Sequence, residues 1–135
     1  MNYLISSFSI LHRQSDIFLT KKLSNLGLSS KQFIHIMCLC EHPGISQEQL
    51  SAYLRVDKGS VAKSVHQLSD LGYISRKVSE TDKRQYELFP TEKSTGVYSQ
   101  LHKIVMEYEK YITRNLTPIE SDILRSLLEK LTENI

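Results

Sequence analysis

The 135-residue sequence predicts a mostly α (α+β) chain, and three observations carry that prediction. Five Gly and three Pro supply too few turns for a many-stranded sandwich or barrel. Apolar residues recur at spacings of three and four through much of the chain, which is the helical period. That period lapses between Gly72 and Thr91, where two short apolar-rich runs flank a charged loop. The length fits a single domain, long enough to bury about two-thirds of its unfolded surface without disulfides or metals. A composition 40% hydrophobic and 24% charged excludes wholesale disorder.

Each element has its own signal. A first helix is expected over 3–25. Ser29-Ser30-Lys31-Gln32 offers a Ser N-cap and a Gln three residues on, opening a helix over 30–42. Ser46-Gln47-Glu48-Gln49 repeats the device before 47–54, and Asp57, with Ser60 as a weaker partner, caps 58–71. Gly72 suits the position after a helix end. Residues 73–78 and 85–89 read as two strands, with Pro90 ending the second and Ser79-Glu80-Thr81-Asp82-Lys83-Arg84 joining them. Helices over 92–114 and 118–133 follow, the last opened by Thr117-Pro118-Ile119-Glu120 with Pro at the first helical position. An isolated hairpin is not stable in water, so this one must lean on the helices before it. Three helices and then a hairpin is the order of a winged helix-turn-helix. The expected division is a winged head over 28–91 with a two-stranded wing, and a helical dimerisation region over 1–27 and 92–135.

The terminal helices carry long apolar stripes. Leu4, Phe8 and Leu11 begin one; Val97, Leu101, Ile104, Tyr108 and Tyr111 form a second; Ile119, Ile123, Leu127 and Leu131, widened by Leu124 and Leu128, form a third. Helices this few cannot cover one another fully, so a homodimer is expected, the alternative being completion of an intrachain core. The longest apolar run, Ile36-Met37-Cys38-Leu39-Cys40, falls far short of the about 20 residues a membrane span requires. Met1-Asn2-Tyr3 brings no basic side chain to a leader, and two cysteines two residues apart make no disulfide framework. A cytoplasmic protein without membrane association is expected.

Net charge is only +2, but its distribution is uneven. From Arg55 to Arg84 there are seven basic residues against four acidic; from Ser94 onward there are five against six. A local basic patch on a balanced chain is what attraction to phosphates requires. Within it, Val61, Val65, Leu68 and Leu71 share one face of the fourth helix and are expected inward. The opposite face carries Gly59, Lys63, His66, Gln67 and Asp70, with Lys58 and Ser60 in the first turn and Ser64 beside Lys63. Such a face offers donors to base edges and cations to phosphates in a major groove. A solvated surface helix is the alternative.

The segment 28–91 resembles the MarR (multiple antibiotic resistance regulator) family of transcription factors. The resemblance rests on Leu28-Ser29-Ser30-Lys31-Gln32-Phe33, Gly44-Ile45-Ser46-Gln47-Glu48-Gln49-Leu50, Asp57-Lys58-Gly59-Ser60-Val61 and Leu68-Ser69-Asp70-Leu71-Gly72-Tyr73-Ile74. Its most characteristic stretch is Asp82-Lys83-Arg84 followed by Leu88-Phe89-Pro90-Thr91, and Leu116-Thr117-Pro118-Ile119-Glu120 extends it. The resemblance implies a ligand-responsive repressor, a homodimer reading pseudo-palindromic double-stranded DNA with one helix per major groove and a wing in the minor groove. It implies DNA contacts by Lys58, Gly59, Ser60, Lys63, Ser64, Gln67, Arg76, Lys83 and Arg84, with Arg84 entering the minor groove. Asp82 would then hold the wing by pairing with Arg84 or Arg76. Gly59 stands where Ser or Thr is commoner, and Ser94 replaces a usual glycine.

The resemblance also implies a cleft between head and dimerisation helices for a small aromatic or phenolic effector, which His12, Arg13, His35 and Cys38 could line. For each residue taken singly, plain interior packing or surface charge is the favoured reading. On the second helix Phe33, Ile36, Met37 and Cys40 share one face, with His35, Cys38 and His42 on the other. His35 and His42 stand two turns apart, about 10.5 Å of rise, which is too far for one zinc. No metal or cofactor is therefore assigned. A metal- or redox-sensing regulator using Cys38 remains an alternative, as does a winged-helix interaction module without DNA binding. No enzyme is expected, because the glycine-rich phosphate loop, the Gly-x-Ser-x-Gly elbow and the His-Glu-x-x-His pair are all missing.

Overall fold

The computed structural model describes residues 2–133 and 135. Met1 of the leader argument and Asn134 of the expected dimerisation region lie outside them. Six helices and three strands follow in the order α1 (Leu4–Leu23), α2 (Phe33–Glu41), β1 (Ile45–Ser46), α3 (Gln47–Leu54), α4 (Lys58–Asp70), β2 (Ile74–Val78), β3 (Tyr86–Pro90), α5 (Glu92–Ile112) and α6 (Pro118–Thr132), with a 3-10 turn at Ser24–Leu26. The chain is mostly helical, as its turn content and period predict.

Three of the four capping signals act as their chemistry requires. Ser46 and Thr117 each form a complete capping box, with Gln49 and Glu120 respectively. Asp57 accepts from the Ser60 amide at 2.9 Å and from its hydroxyl at 2.7 Å. These bonds hold its carboxyl below the usual carboxylate range. The fourth signal is displaced. The Gln32 side chain accepts from the Ser29 amide, but residues 30–32 form a turn and α2 begins at Phe33, three residues later than expected.

The wing is also larger than expected. Ile45 and Ser46 add a third antiparallel strand, pairing with Leu88 and Glu87, so the sheet runs β1-β3-β2. Two residues carry no period, and Ser46 serves at once as strand and helix cap. Pro90, expected to end β3, is its last residue and pairs with Ile74.

The core joins the helices of the head to α5. Leu23, Ile36, Leu39, Leu50, Val61, Val65, Leu68, Leu88 and Leu101 are fully buried, each contributing about 1.5–3 kcal/mol of apolar transfer. Two facial assignments change. Leu71, expected inward, caps the end of α4 and is 42% exposed. On α2, Phe33 and five of the next six residues are buried, His35 and Cys38 among them, so the expected two-faced helix is buried on nearly all sides. At the other end of the head, the Ser94 hydroxyl donates to the Tyr73 carbonyl from a fully buried position. Thr91 and Lys93 donate to the carbonyls of Gly72 and Leu71, each at 2.6 Å. The serine in place of a usual glycine thus ties the start of α5 to the exit of α4.

The stripes separate into two kinds. Leu101 and Ile104 of α5 are buried, while Tyr108 and Tyr111 lie against Phe18 of α1 at ring separations of 5.8 and 5.0 Å. The α5 stripe is therefore largely covered within the chain. By contrast α6 buries no residue, and Ile119, Ile123, Leu127 and Leu131 are exposed with Leu4, Phe8 and Leu11 of α1.

Candidate nucleic-acid interface

The turn Arg55-Val56-Asp57 links α3 to α4, and its geometry decides how α4 leaves the head. Arg55 adopts a left-handed conformation (φ 55°) at the end of α3. The Ser51 hydroxyl donates to the Val56 carbonyl at 2.5 Å and fixes the turn from inside. Burial of Val61, Val65 and Leu68 then orients α4 so that Lys58, Gly59, Ser60, Lys63 and Gln67 are exposed, with Ser64 half-buried at the edge. Lys58 is engaged by Glu48 of α3 at 3.4 Å, an exposed pair that contributes little stability. Lys63 has no hydrogen-bond or ion-pair partner among the described residues. A Cβ on Gly59 would meet Asp57 Oδ2 at 3.4 Å, an ordinary contact, so nothing steric requires glycine there.

The wing loop is organised by a residue the sequence did not single out. Ser79 is buried; its amide donates to the Gln85 carbonyl at 2.9 Å, and its hydroxyl meets the Asp82 amide at 3.3 Å and the Thr81 hydroxyl at 3.0 Å. Asp82 turns to Arg84, accepting from its amide at 3.1 Å and its guanidinium Nε at 3.2 Å. Arg76 instead lies over the Tyr86 ring at 5.7 Å. Lys83 is exposed beside them. The Arg84 side chain is 91% exposed, and both terminal nitrogens of its guanidinium remain available.

The expected cleft residues are not gathered into one pocket. His35 is 2% exposed, and among the described residues neither ring nitrogen has a hydrogen-bond partner. Burial depresses its pKa, opposed by the nearby backbone of Lys31 and Gln32. Cys38 is buried too, and burial together with Glu41 pushes its thiol up, away from thiolate reactivity. His12 is exposed on α1, and Arg13 lines a shallow groove of about 420 Å³ with Ile5, Ser6, Ser9 and Ile10. A larger groove of about 710 Å³ lies elsewhere, between His42, Ile45 and Tyr53. Among the described residues no three His, Cys, Asp or Glu side chains are grouped to hold a metal, and no helix is long and apolar enough to cross a membrane.

A short capped helix, a tight turn, a second helix with a cationic outer face and a charged hairpin define a winged helix-turn-helix protein. A profile of the MarR family matches residues 26–85. The HTH-type transcriptional regulator BilQ of Clostridium symbiosum is 30% identical over 91% of this chain and 85% of its own length. A MarR transcriptional regulator from Methanosarcina mazei Go1 superposes with a TM-score of 0.90 at 33% identity, covering 99% of this chain and 96% of that one. A MarR-family regulator from Listeria monocytogenes, solved in complex with a 26mer DNA, matches with a TM-score of 0.90 at 27% identity, covering all of this chain and 90% of that one. The chain belongs to the MarR family of transcriptional regulators, which are not enzymes.

Proposed function

We propose that this chain is a cytoplasmic repressor that binds double-stranded DNA as a homodimer, placing α4 in the major groove and Arg84 in the adjacent minor groove. The observation that carries the reading is the coincidence of an unpartnered Lys63 and an outstretched Arg84 on two elements of one head. Lys63 has no acidic partner and Arg84 keeps its terminal nitrogens free beyond the bond of its Nε to Asp82, so both can attract phosphates, and a planar guanidinium suits a narrow minor groove. The DNA carried by the Listeria relative supports the same use of this fold. The homodimer rests on α6, whose apolar stripe is left uncovered within the chain. Two copies would present inverted recognition helices roughly one helical turn, about 34–36 Å, apart. Response to a small aromatic or phenolic effector belongs to the same reading: a ligand that favours a different helix separation weakens binding by its differential affinity for the two states. Of the four residues expected to line an effector cleft, the exposed Arg13, in a groove formed by α1 residues, would meet an anionic ligand.

The test is selection of bound duplexes from a random pool by the purified protein. Binding to the selected duplex is then repeated with and without salicylate as a phenolic probe. Recovery of an inverted repeat bound by two chains supports the reading; recovery of no preferred duplex refutes it and favours a protein-interaction module.

A further inference from the structure

We infer that Gln32 sets the polarity of the Gln67 side chain, so that Gln67 meets DNA as a hydrogen-bond donor. The inference rests on the DNA-binding reading above and deepens it. A side-chain amide has an acceptor end and a donor end, and only its neighbours decide which faces out. Here the decision starts at a group with no ambiguity. The backbone N–H of Ser29 can only donate, and it donates to Gln32 Oε1 at 3.1 Å. Gln32 Nε2 is thereby turned toward α4, where it donates to Gln67 Oε1 at 2.9 Å. The remaining end of Gln67 is its Nε2, with two N–H groups and no partner among the described residues. Gln67 lies one turn beyond Lys63 on the exposed side of α4, so these donors belong to the same face as that cation.

This polarity selects what Gln67 can bind. Its donors suit an acceptor: a purine N7, guanine O6, thymine O4 or a phosphate oxygen. They do not suit the cytosine amine. The paired reading of adenine by glutamine needs Oε1 to accept from the adenine amine while Nε2 donates to N7. Gln32 already takes one of the two lone pairs of Oε1, so that pattern is open only to an adenine amine that approaches the other. Gln32 is thus a positioning residue, acting on DNA through Gln67.

The experiment uses the full chain and the duplex selected by it from a random pool. Single acceptors are removed one at a time, with 7-deazapurines for N7, 2-aminopurine for guanine O6, 5-methylpyrimidin-2-one for thymine O4 and methylphosphonates for phosphate oxygens. At one position the wild type should lose about tenfold in affinity, the size of one good polar contact. Gln67→Ala should bind more weakly and be indifferent to that same replacement. Gln67→Glu, which still accepts from Gln32 but has no N–H to offer, should be equally indifferent. Gln32→Ala should melt within a few degrees of wild type yet show a clearly smaller penalty for the replaced atom, which a merely structural role would not alter. A base-analogue position assigns the contact to a base edge and a methylphosphonate position to the backbone, and either supports donor polarity. The inference is overturned if Gln67→Ala stays as sensitive as wild type at every replaced atom, or if Gln32→Ala leaves the penalty unchanged. Failure to select any duplex defeats the DNA-binding reading and this inference with it; a selected duplex to which Gln67 is indifferent defeats this inference alone.

Discussion

Asp82 holds Arg84 by one carboxylate oxygen, which accepts from both the amide and the guanidinium Nε of Arg84. The arrangement fixes where the side chain leaves the wing while its outer fork of N–H groups stays free. The Asp82 side chain is only 35% exposed against 91% for Arg84, so the anchor is sheltered and the guanidinium is in water. An exposed pair of this kind adds little stability. Its effect is on direction.

Arg84→Ala should therefore reduce affinity for the selected duplex on the order of 100-fold while fold and oligomeric state are kept. Arg84→Lys should recover only part of the loss, because a compact, strongly hydrated ammonium lacks the planar fork. Asp82→Ala should be milder than Arg84→Ala. Affinity at fixed salt, measured beside thermal unfolding, checks all three. Wild-type binding by a normally melting Arg84→Ala protein would sink the wing mechanism.

Lys63→Ala distinguishes two uses of the α4 face. A phosphate contact predicts equal losses on selected and unrelated duplexes and a salt slope lower by about one. A guanine contact predicts a selective loss of about 1–3 kcal/mol. Titrations over a range of salt on both duplexes decide between them, and no loss on either removes Lys63 from the interface.

Much of this site was legible because exposure of one helix face follows from burial of the other. The apolar spacing of Val61, Val65 and Leu68 was enough to place Lys63 and Gln67 outside. The caps at Ser46, Asp57 and Thr117 were legible because each is settled within four residues. The rest depends on contacts between distant segments. Gln32 was visible as a capping residue, but its bond to Gln67 spans 35 positions that no local pattern connects. β1 was hidden by its brevity, and Ser79 by its ordinary place in a polar loop. His35 and Cys38 are packed inside, as plain interior packing anticipates, although they share the more polar face of α2. A helix wheel ranks faces by polarity, but α2 is enclosed by neighbours on most sides, so its polar positions are buried along with the apolar ones.

That enclosure gives His35 a pH signature. Burial lowers its pKa from the ordinary value of 6.5, so the folded state favours the neutral ring. A depressed value means that the unfolded chain binds the proton more readily. The stability tied to the neutral ring is complete above pH 6.5 and is lost as pH falls from there through the folded-state value. His35→Leu should remove this part of the acid sensitivity. It should also leave stability at pH 7 unchanged or higher, since it deletes two unpartnered ring nitrogens. Melting curves from pH 7.5 to 5 for both proteins check this, and parallel curves would refute it.

The last prediction concerns the uncovered helix. Within the chain, α6 is tied at a few polar points: Arg125 pairs with Glu109 at 3.1 Å, and the Arg55 guanidinium donates to the Thr132 carbonyl. Its six large apolar side chains, from Ile119 to Leu131, are all exposed. They are 37–72% exposed, so burying what remains would gain about 1 kcal/mol each, and the two copies of the helix together offer on the order of 10 kcal/mol. Association costs about 4–15 kcal/mol in lost freedom, so α6 alone roughly breaks even. The exposed residues Leu4, Phe8 and Leu11 of α1 supply the surplus a stable dimer needs. Losing apolar contact at the centre of α6 should therefore be enough to tip the balance. Leu127→Asp, which also forces an unpaired carboxylate into the interface, should give a folded monomer at micromolar concentration where the wild type sediments as a dimer. The monomer should keep its helical circular dichroism, because Leu127 contributes nothing to the buried core of one chain. Its affinity for the inverted repeat should fall to that of a single half-site. A wild-type protein that sediments as a monomer, or a Leu127→Asp protein that remains a dimer, removes α6 from the interface.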